Sequence, residues 1–179
     1  PDQHALWIDP ANGNHLLLGD DGGFWSTADA ANWTHCDNLP ISQFYAGTVD
    51  PTNVNKIIGG LQDNNTVMTT LGPGAYTAIL FGDGFVPLID PINTSVVFSE
   101  YQFCGYGSGF RRSTNGGLSF ANTSGWATTA QGDRSNWNTP ITINPRNPNV
   151  QLPGSQFGFR STNNWLNWAQ IMCCLPTTN

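Results

Sequence analysis

The sequence predicts an all-β fold and, within that class, a β-propeller of four-stranded antiparallel blades. Two repeats and the composition lead to this prediction. An Asp-Pro or Asn-Pro step between apolar runs recurs four times, and a polar Ser-Thr stretch ending on an aromatic residue recurs three times. Gly, Pro and Asn are abundant and only 10% of the 179 residues are charged, which is typical of short strands joined by tight turns. A four-stranded unit that repeats after about forty residues is typical of propeller blades, which protect their sheet edges by radial packing.

The first two strands of each repeat surround the proline. The four stretches are LWIDPANGNHLLLG at 6–19, GTVDPTNVNKIIGG at 47–60, PLIDPINTSVVFSE at 87–100 and ITINPRNPNVQLPG at 141–154. Their prolines are Pro10, Pro51, Pro91 and Pro145, with spacings of 41, 40 and 54 residues. Proline restricts φ to about −65° at a turn position, and asparagine tolerates left-handed geometry. Each stretch is therefore predicted to be a β-hairpin.

The other two strands of each repeat follow the hairpin. The alternating segments GFWST, TVMTT, GFRRST and FGFRST precede a turn, and NWTHC, AYTAIL, LSFANTS and NWAQI follow it. We therefore predict a single propeller segment over residues 1–179, with blades at 4–35, 43–80, 84–123 and 137–172. The insertion TSGWATTAQGDRSN accounts for the longer third spacing.

The recurring polar stretch fills the turn between the third and fourth strands, where side-chain oxygens are expected to close the hairpin and the last aromatic residue to pack between sheets. It reads STADAANW at 26–33, STNGGLSF at 113–120 and STNNWLNW at 161–168, and TTLGPGAY takes its place in the second blade. These turns resemble degenerate Asp boxes, or BNR repeats, with the pattern Ser-x-Asp-x-Gly-x-Thr-Trp. The best match is made by Ser113, Asn115, Gly117, Ser119 and Phe120; the other boxes are represented by Ser26, Asp29 and Trp33, and by Ser161 and Trp168. The box at 26–33 lacks glycine, and Trp165 stands where the box at 161–168 should have it.

The whole chain resembles secreted bacterial BNR-repeat proteins of the sortilin-like and xyloglucanase-like propeller superfamily. The stretches that carry this resemblance are DQHALWIDP, LLLGDDGGFWST, LPISQFYAGTVDPTN, GGLQDNNT, FGDGF, FSEYQF and GDRSNWNTP. The resemblance implies a secreted protein, either extracellular or periplasmic. Members of this superfamily usually have seven or ten blades, so four blades imply an arc of a larger propeller, or an arc completed by another chain.

Composition excludes several classes of partner. The net charge is −6, with five arginines and one lysine, so no basic stripe is present to bind a nucleic acid. No run of about 20 apolar residues predicts a membrane span. The four cysteines, Cys36, Cys104, Cys173 and Cys174, permit disulfides in an oxidising compartment, but their spacing fits buried thiols equally and does not fit a zinc site.

Strand order predicts where a ligand would bind. The loops that lead into each blade and the loops that join strands two and three should share one face, opposite the Asp-Pro turns and the Asp boxes. The polar and aromatic residues predicted on that face are Asp2, His4, Gln62, Asp63, Asn64, Asp83, Gln102, Asp133, Arg134, Asn136 and Trp137. His4 beside Asp2 fits a general base, a metal ligand or a structural histidine, and the structural role is favoured.

Two functions fit this face. The favoured one is a non-catalytic module that binds a protein or a glycan, or an extracellular scaffold subunit. The alternative is part of a xyloglucanase-type glycoside hydrolase in which Asp63 and Asp83 act as the carboxyl pair, since retaining glycosidases need two carboxyls about 5 Å apart. No cofactor is predicted, because GDDGG and GDG are similar to calcium or phosphate loops but lack EF-hand spacing and a P-loop lysine. Calcium held by their Asp residues and backbone carbonyls is the alternative.

Overall fold

A computed structural model of the chain describes residues 2–39, 42–100, 102, 110–123 and 135–172. Within these residues the chain forms sixteen β-strands, all paired antiparallel, which confirms the predicted all-β class. The residues divide into two compact units, one ending at Gln43 and one beginning at Phe44.

Strands follow chain order within each sheet, as they do in a propeller blade. The first sheet consists of β1 (Gln3–Asp9), β2 (Asn12–Asp20), β3 (Gly23–Thr27) and β4 (Thr34–His35). The second consists of β5 (Phe44–Asp50), β6 (Asn53–Leu61), β7 (Thr66–Thr69) and β8 (Thr77–Leu80). The third consists of β9 (Leu88–Ile89), β10 (Val97–Ser99), β11 (Arg111–Ser113) and β12 (Ala121–Asn122).

The fourth repeat forms two pairs of strands. They are β13 (Ile141–Ile143) with β14 (Gln151–Pro153), and β15 (Gly158–Arg160) with β16 (Ala169–Met172). Isolated bridges connect the two pairs, one between Gln151 and Ser161 and one between Gly154 and Gly158. The order of the four strands is therefore the same as in the other three sheets.

Each Asp-Pro or Asn-Pro turn is closed by its own first side chain. The Oδ1 atom accepts the N–H of the residue two positions later, which is the Asx-turn geometry that makes Asp and Asn suitable for turns. The four acceptors and their N···O distances are Asp9 at 2.8 Å, Asp50 at 2.8 Å, Asp90 at 2.9 Å and Asn144 at 2.9 Å. The hairpins that the sequence predicts around these turns are present in all four sheets.

The turns between third and fourth strands are closed by a buried hydroxyl group. It accepts the N–H of the residue two positions later, and it belongs to Thr27, Thr69, Ser113 or Ser161. In the first box the hydroxyl is therefore that of Thr27 and not that of Ser26, the residue that sequence alignment places there. Thr27 and Asp29 hydrogen bond to each other at 3.0 Å, as Ser113 and Asn115 do at 2.8 Å.

The two kinds of turn are joined by one recurring backbone hydrogen bond. A box residue with positive φ donates its N–H to a carbonyl just after the Asp-Pro turn of the same sheet. The four bonds are Ala30 to Asn14 at 3.0 Å, Gly72 to Asn55 at 2.9 Å, Gly116 to Ser95 at 2.7 Å and Asn164 to Asn149 at 3.2 Å. The donors have φ values of 60°, 85°, 77° and 62° respectively. Left-handed geometry is thus retained even in the two boxes that have lost glycine at this position.

The core of the unit that begins at Phe44 lies between successive sheets. Ile58 and Met68 of the second sheet pack with Ile89 and Val97 of the third. A second cluster joins the third and fourth sheets, and its members are Val96, Phe98, Phe110, Phe159 and Trp165. Phe120 and Trp168, the last residues of their boxes, pack against these clusters, whereas Trp33 remains exposed.

Candidate functional site

The loop between β6 and β7 carries three of the residues predicted on the ligand face. Asp63 and Asn65 have φ values of 58° and 73°, which fold the loop back so that the N–H of Leu61 reaches the carbonyl of Asn65 at 2.9 Å. The side-chain amide of Asn64 donates to the carbonyl of Gln62 at 3.1 Å. The loop is held by its own backbone, and the side chain of Asp63 is exposed.

The loop between β8 and β9 locks onto this first loop. The N–H of Gly84 donates to the carbonyl of Leu61 at 2.8 Å, and the N–H of Asp63 donates to Asp83 Oδ1 at 2.7 Å. A Cβ atom at Gly60 would collide with the backbone of Phe85, so the two loops approach as only glycine permits.

Gln102 extends the connection into the third repeat. Its Oε1 accepts the N–H of Asp83 at 2.9 Å. A continuous series of hydrogen bonds therefore runs from Asp63 through Asp83 to Gln102, and these three predicted residues lie together.

Three aromatic rings lie beside the interlocked loops. The centroid of Trp137 is 5.8 Å from that of Tyr45 and 5.0 Å from that of Phe85, in edge-on contacts with interplanar angles of 89° and 75°. Phe85 is fully buried and Tyr45 retains 38% of its exposure, so Phe85 supports the other two rings from beneath. Together they form an aromatic corner, which we define as Tyr45, Phe85 and Trp137.

The hydroxyl of Tyr45 is oriented by a predicted site residue. It donates to Gln62 Oε1 at 2.5 Å. Burial, followed by the negative charges of Asp63 and Asp83, raises the pKa of Tyr45. The phenol is therefore neutral at physiological pH, and its oxygen keeps lone pairs for a ligand donor.

A buried carboxylate positions Trp137. Glu100, the only glutamate in the chain, is fully buried, and its Oε1 accepts the N–H of Thr139 at 2.8 Å. The hydroxyl of Thr139 donates to the carbonyl of Asn136 at 2.9 Å. These bonds fix the backbone on either side of Trp137 and so set the direction of its ring.

Asp2 and His4 belong to the other unit, where they form a local cluster. His4 Nε2 lies 2.5 Å from Asp21 Oδ1, and the N–H of Asp2 donates to Asp21 Oδ2 at 2.8 Å. The hydrogen bond that His4 donates to Asp21, reinforced by the charge of Asp21, raises the pKa of His4, and the same bond lowers the pKa of Asp21.

Sequence reasoning missed Tyr45 and Phe85. Tyr45 and His4 both lie five residues before the Asp of an Asp-Pro turn, at a β-bulge that re-aims the side chain. Each contacts the corresponding residue of the next loop, Tyr45 with Gln62 and His4 with Asp21. Phe85 lies at the same distance before Asp90. Because His4 is already a candidate and occupies the same position in its repeat, comparison of the repeats identifies Tyr45 as a candidate site residue.

A cavity of 340 Å³ lies at the first Asp box, but the carboxylate of Asp29 in its lining already accepts hydrogen bonds from the turn. Its lining residues are His15, Ser26, Thr27, Ala28, Asp29, Asn32 and Thr34. Asp29 accepts hydrogen bonds from the backbone and side chain of Asn32, the backbone of Ala31 and the hydroxyl of Thr27, and these bonds hold its pKa far below the usual range. Asp29 therefore serves the turn and does not offer a binding group.

Several residues named in the sequence-based predictions are not among those that the structure describes. Asp133 and Arg134 lie outside the described residues, as do Cys104, Cys173 and Cys174. Cys36 has a free thiol. Over the described part of the chain, no group of three or more His, Cys, Asp or Glu side chains is arranged to hold a metal ion. The same residues contain no helix long and apolar enough to cross a membrane.

Comparisons with known proteins identify the fold. No family model and no curated protein matches the chain. The chain is similar to the crystal structure of an ancestral GH74 enzyme, with 21% identity and a TM-score of 0.58 over 94% of this chain and 24% of that one. It is also similar to an auxiliary nutrient binding protein from Bacteroides thetaiotaomicron, with 15% identity and a TM-score of 0.56 over 97% of this chain and 42% of that one. The chain thus spans less than half of either protein. With its four-stranded sheets, it has the fold of part of a β-propeller, as predicted.

Proposed function

We propose that this chain is a non-catalytic propeller module that binds a carbohydrate at the aromatic corner. The observation that carries the proposal is the perpendicular contact of Trp137 with Tyr45, whose centroids are 5.8 Å apart, beside the interlocked loops of Asp63 and Asp83. Aromatic rings supply flat apolar surface for the C–H face of a sugar, and amide and carboxylate groups around them bind its hydroxyls.

The hydrogen bonds of the loops favour binding over hydrolysis. Asp83 Oδ1 accepts the backbone N–H of Asp63, and the N–H of Asp83 donates to Gln102. Asp83 is therefore engaged in shaping the loop that carries Asp63, which is a structural task. A glycosidase acid or base instead needs its carboxyl directed at the scissile oxygen or at a water molecule.

One of the two similar solved structures is a GH74 enzyme and the other a nutrient binding protein, so the same fold accompanies both a hydrolase and a binding protein. A binding role is the one that the contacts of this chain favour. The resemblance of the repeats to secreted BNR proteins supports an extracellular or periplasmic location. Binding of a carbohydrate or protein ligand there requires no cofactor.

The test is a titration of the chain with neutral gluco-, manno- and xylo-oligosaccharides, followed by calorimetry and by the indole N–H signals in NMR spectra. Trp137→Ala should weaken binding by about fivefold or more, since one lost aromatic contact corresponds to roughly 1 kcal/mol. Trp33→Ala, which removes an exposed tryptophan of the other unit, is the matched control and should leave affinity unchanged. Equal binding by wild type and Trp137→Ala would refute the proposal.

A second assay separates binding from hydrolysis. The same oligosaccharides are incubated with the wild type, Asp63→Asn and Asp83→Asn, and new reducing ends are measured. No release is expected from any of the three. Release by the wild type that is lost in both variants would replace the binding role with the hydrolase alternative.

A further inference from the structure

Asparagine recurs at one position of all four hairpin turns, three residues after the Asp or Asn that opens the turn. The four residues are exposed, and they are Asn12, Asn53, Asn93 and Asn147. In the first three, the side-chain Oδ1 accepts the N–H of the residue two positions later, at 3.2, 3.1 and 3.3 Å respectively. Asn93 is exposed although the third sheet packs against both the second and the fourth. Exposure is therefore a property of this turn itself.

The residue that follows this asparagine differs between the repeats. In chain order it is Gly13, Val54, Thr94 and Pro148. A backbone nitrogen that follows asparagine can attack the side-chain carboxamide, and glycine allows this most readily because it has no side chain and the widest range of backbone angles. Valine and threonine are branched at Cβ and stiffer, and proline has no N–H. The first repeat therefore carries the reactive member of the series.

Gly13 has room for this movement. The register of β1 with β2 passes directly from Asp9 opposite Asn12 to Ile8 opposite Leu16, and β3 begins its pairing with β2 at Leu16. Gly13 thus lies in a bulge, opposite no residue of these two described strands. Beyond its chain neighbours, a Cβ atom added to Gly13 would meet no described atom within 4 Å. The backbone of Gly13 can therefore turn toward the carboxamide of Asn12.

The second Asn-Gly step of the chain, Asn115-Gly116 in the third box, is held by hydrogen bonds. Asn115 is exposed as well, so solvent access does not distinguish the two steps. Its Oδ1 accepts the hydroxyl of Ser113 at 2.8 Å and the N–H of Ser119 at 3.0 Å, and its Nδ2 donates to the Ser119 hydroxyl at 2.8 Å. The N–H of Gly116 donates to the carbonyl of Ser95 at 2.7 Å. Attack by Gly116 would break that bond and turn the carboxamide out of the other three.

We propose that Asn12 is a site of spontaneous deamidation in the folded protein and that the third box protects Asn115 from the same reaction. The nitrogen of Gly13 loses its proton and bonds to Cγ of Asn12, the bond from Cγ to Nδ2 breaks, and ammonia leaves with that proton. Water then opens the five-membered imide at either carbonyl and produces an aspartyl or an isoaspartyl residue. The product adds a negative charge opposite Asp9. The proposal is independent of the carbohydrate site, because neither asparagine belongs to the aromatic corner.

The experiment incubates the folded full chain at mildly alkaline pH and measures the mass gain of deamidation at each asparagine after peptic digestion at acidic pH. Asn12 should convert at least about tenfold faster than Asn115, because several hydrogen bonds must break before Asn115 can react. In concentrated denaturant the two should convert at similar rates, since only the local sequence then differs. Equal rates in the folded protein, or an Asn115 that stays as slow relative to Asn12 in denaturant, would overturn the proposal.

Two reciprocal variants test the role of the following residue within the same turn. Gly13→Val and Val54→Gly each introduce the residue that the equivalent turn already contains, and circular dichroism verifies that both variants are folded. Gly13→Val should lower the rate at Asn12 to that of Asn53 in the wild type. Val54→Gly should raise the rate at Asn53 to that of Asn12. Persistence of the wild-type rate at either asparagine would count against the proposal.

Discussion

The ammonium group of Lys56 lies 3.3 Å from Asp50 Oδ2, and both side chains are buried. Lys56 is the only lysine of the chain. Its Nζ also donates to the carbonyl of Thr94 at 3.0 Å, so it connects the Asp-Pro turns of the second and third repeats. His15 takes the same position in the first repeat and lies 3.2 Å from Asp9, whereas the third and fourth repeats have Val96 and Val150 there.

Removal of Lys56 should be strongly destabilising. Lys56→Met leaves a buried carboxylate without its cation, and breaking a buried pair in this way costs about 3–5 kcal/mol. Denaturant unfolding should therefore show a lower midpoint. The double variant Asp50→Asn/Lys56→Met removes both charges and should recover a large part of that loss; a double variant as unstable as Lys56→Met alone would show that the cost lies in packing.

The charge of Asp50 should make folding sensitive to acid. Burial opposes ionisation of Asp50, but the hydrogen bonds of Thr52 and Lys56 and the charge of Lys56 outweigh it, so its pKa is lowered in the folded state. The carboxylate therefore contributes stability above its unfolded pKa near 3.8, and this contribution is lost as pH falls through the lower folded value. Between pH 7 and pH 3 the unfolding free energy of Asp50→Asn should fall less than that of the wild type. Parallel losses would contradict the prediction.

Trp165 combines a left-handed backbone with full burial. Its φ is 68°, and its ring stacks on Phe98 at 4.3 Å and meets Phe110 edge-on at 4.5 Å. Trp165→Ala should cost about 3–5 kcal/mol through the cavity it leaves. Trp165→Gly should cost roughly 1 kcal/mol less than the alanine variant, because glycine accepts this φ without strain. Chemical denaturation of the three proteins measures both differences, and an alanine variant that equals or exceeds the glycine variant in stability would count against left-handed strain at this site.

Trp165 also shows where sequence reasoning reaches its limit. The repeats predict the four sheets and their turns, because the formation of a turn depends on a few neighbouring residues, and Asp, Asn and Pro indicate it. They do not predict that Trp165 keeps a left-handed backbone in the box at 161–168, because its ring is held by buried contacts with Phe98 and Phe110, which are distant in sequence. The recurrence of Ser-Thr in all three boxes predicts Ser26 as the closing hydroxyl of the first box. Which of the two adjacent hydroxyls faces inward is decided by the register of β3, where Thr27 lies opposite Leu16.

The order of the loops along the chain predicts part of the candidate site. Loop order along the chain brought Asp63, Asp83 and Gln102 to one face, and the structure places them in one series of hydrogen bonds. The aromatic corner depends on a β-bulge at Tyr45 and on the burial of Phe85. Only comparison of the repeats, which places Tyr45 at the position of His4, points to it in the sequence.

His35 should titrate above its ordinary range because it is held between two acceptors. Its Nδ1 lies 2.6 Å from Asp37 Oδ1 and its Nε2 lies 3.2 Å from the carbonyl of Gly22. A neutral imidazole has one N–H, so only the doubly protonated ring can donate to both at once. The hydrogen bond to Asp37, then that to Gly22, raises the pKa of His35 above 6.5. The stabilisation is complete below the unfolded value and is lost as pH rises through the folded one.

The measurement is an NMR titration of the histidine ring signals, with two reciprocal variants as controls. Asp37→Asn should lower the pKa of His35 and leave that of His4 unchanged, because His4 is paired with Asp21. Asp21→Asn should do the reverse. The charge of Asp20 acts on both rings and is retained in both variants, so it cannot produce a selective effect. If His35 titrates at or below 6.5 in the wild type, or if either variant shifts both rings equally, the two-acceptor arrangement does not exist in solution.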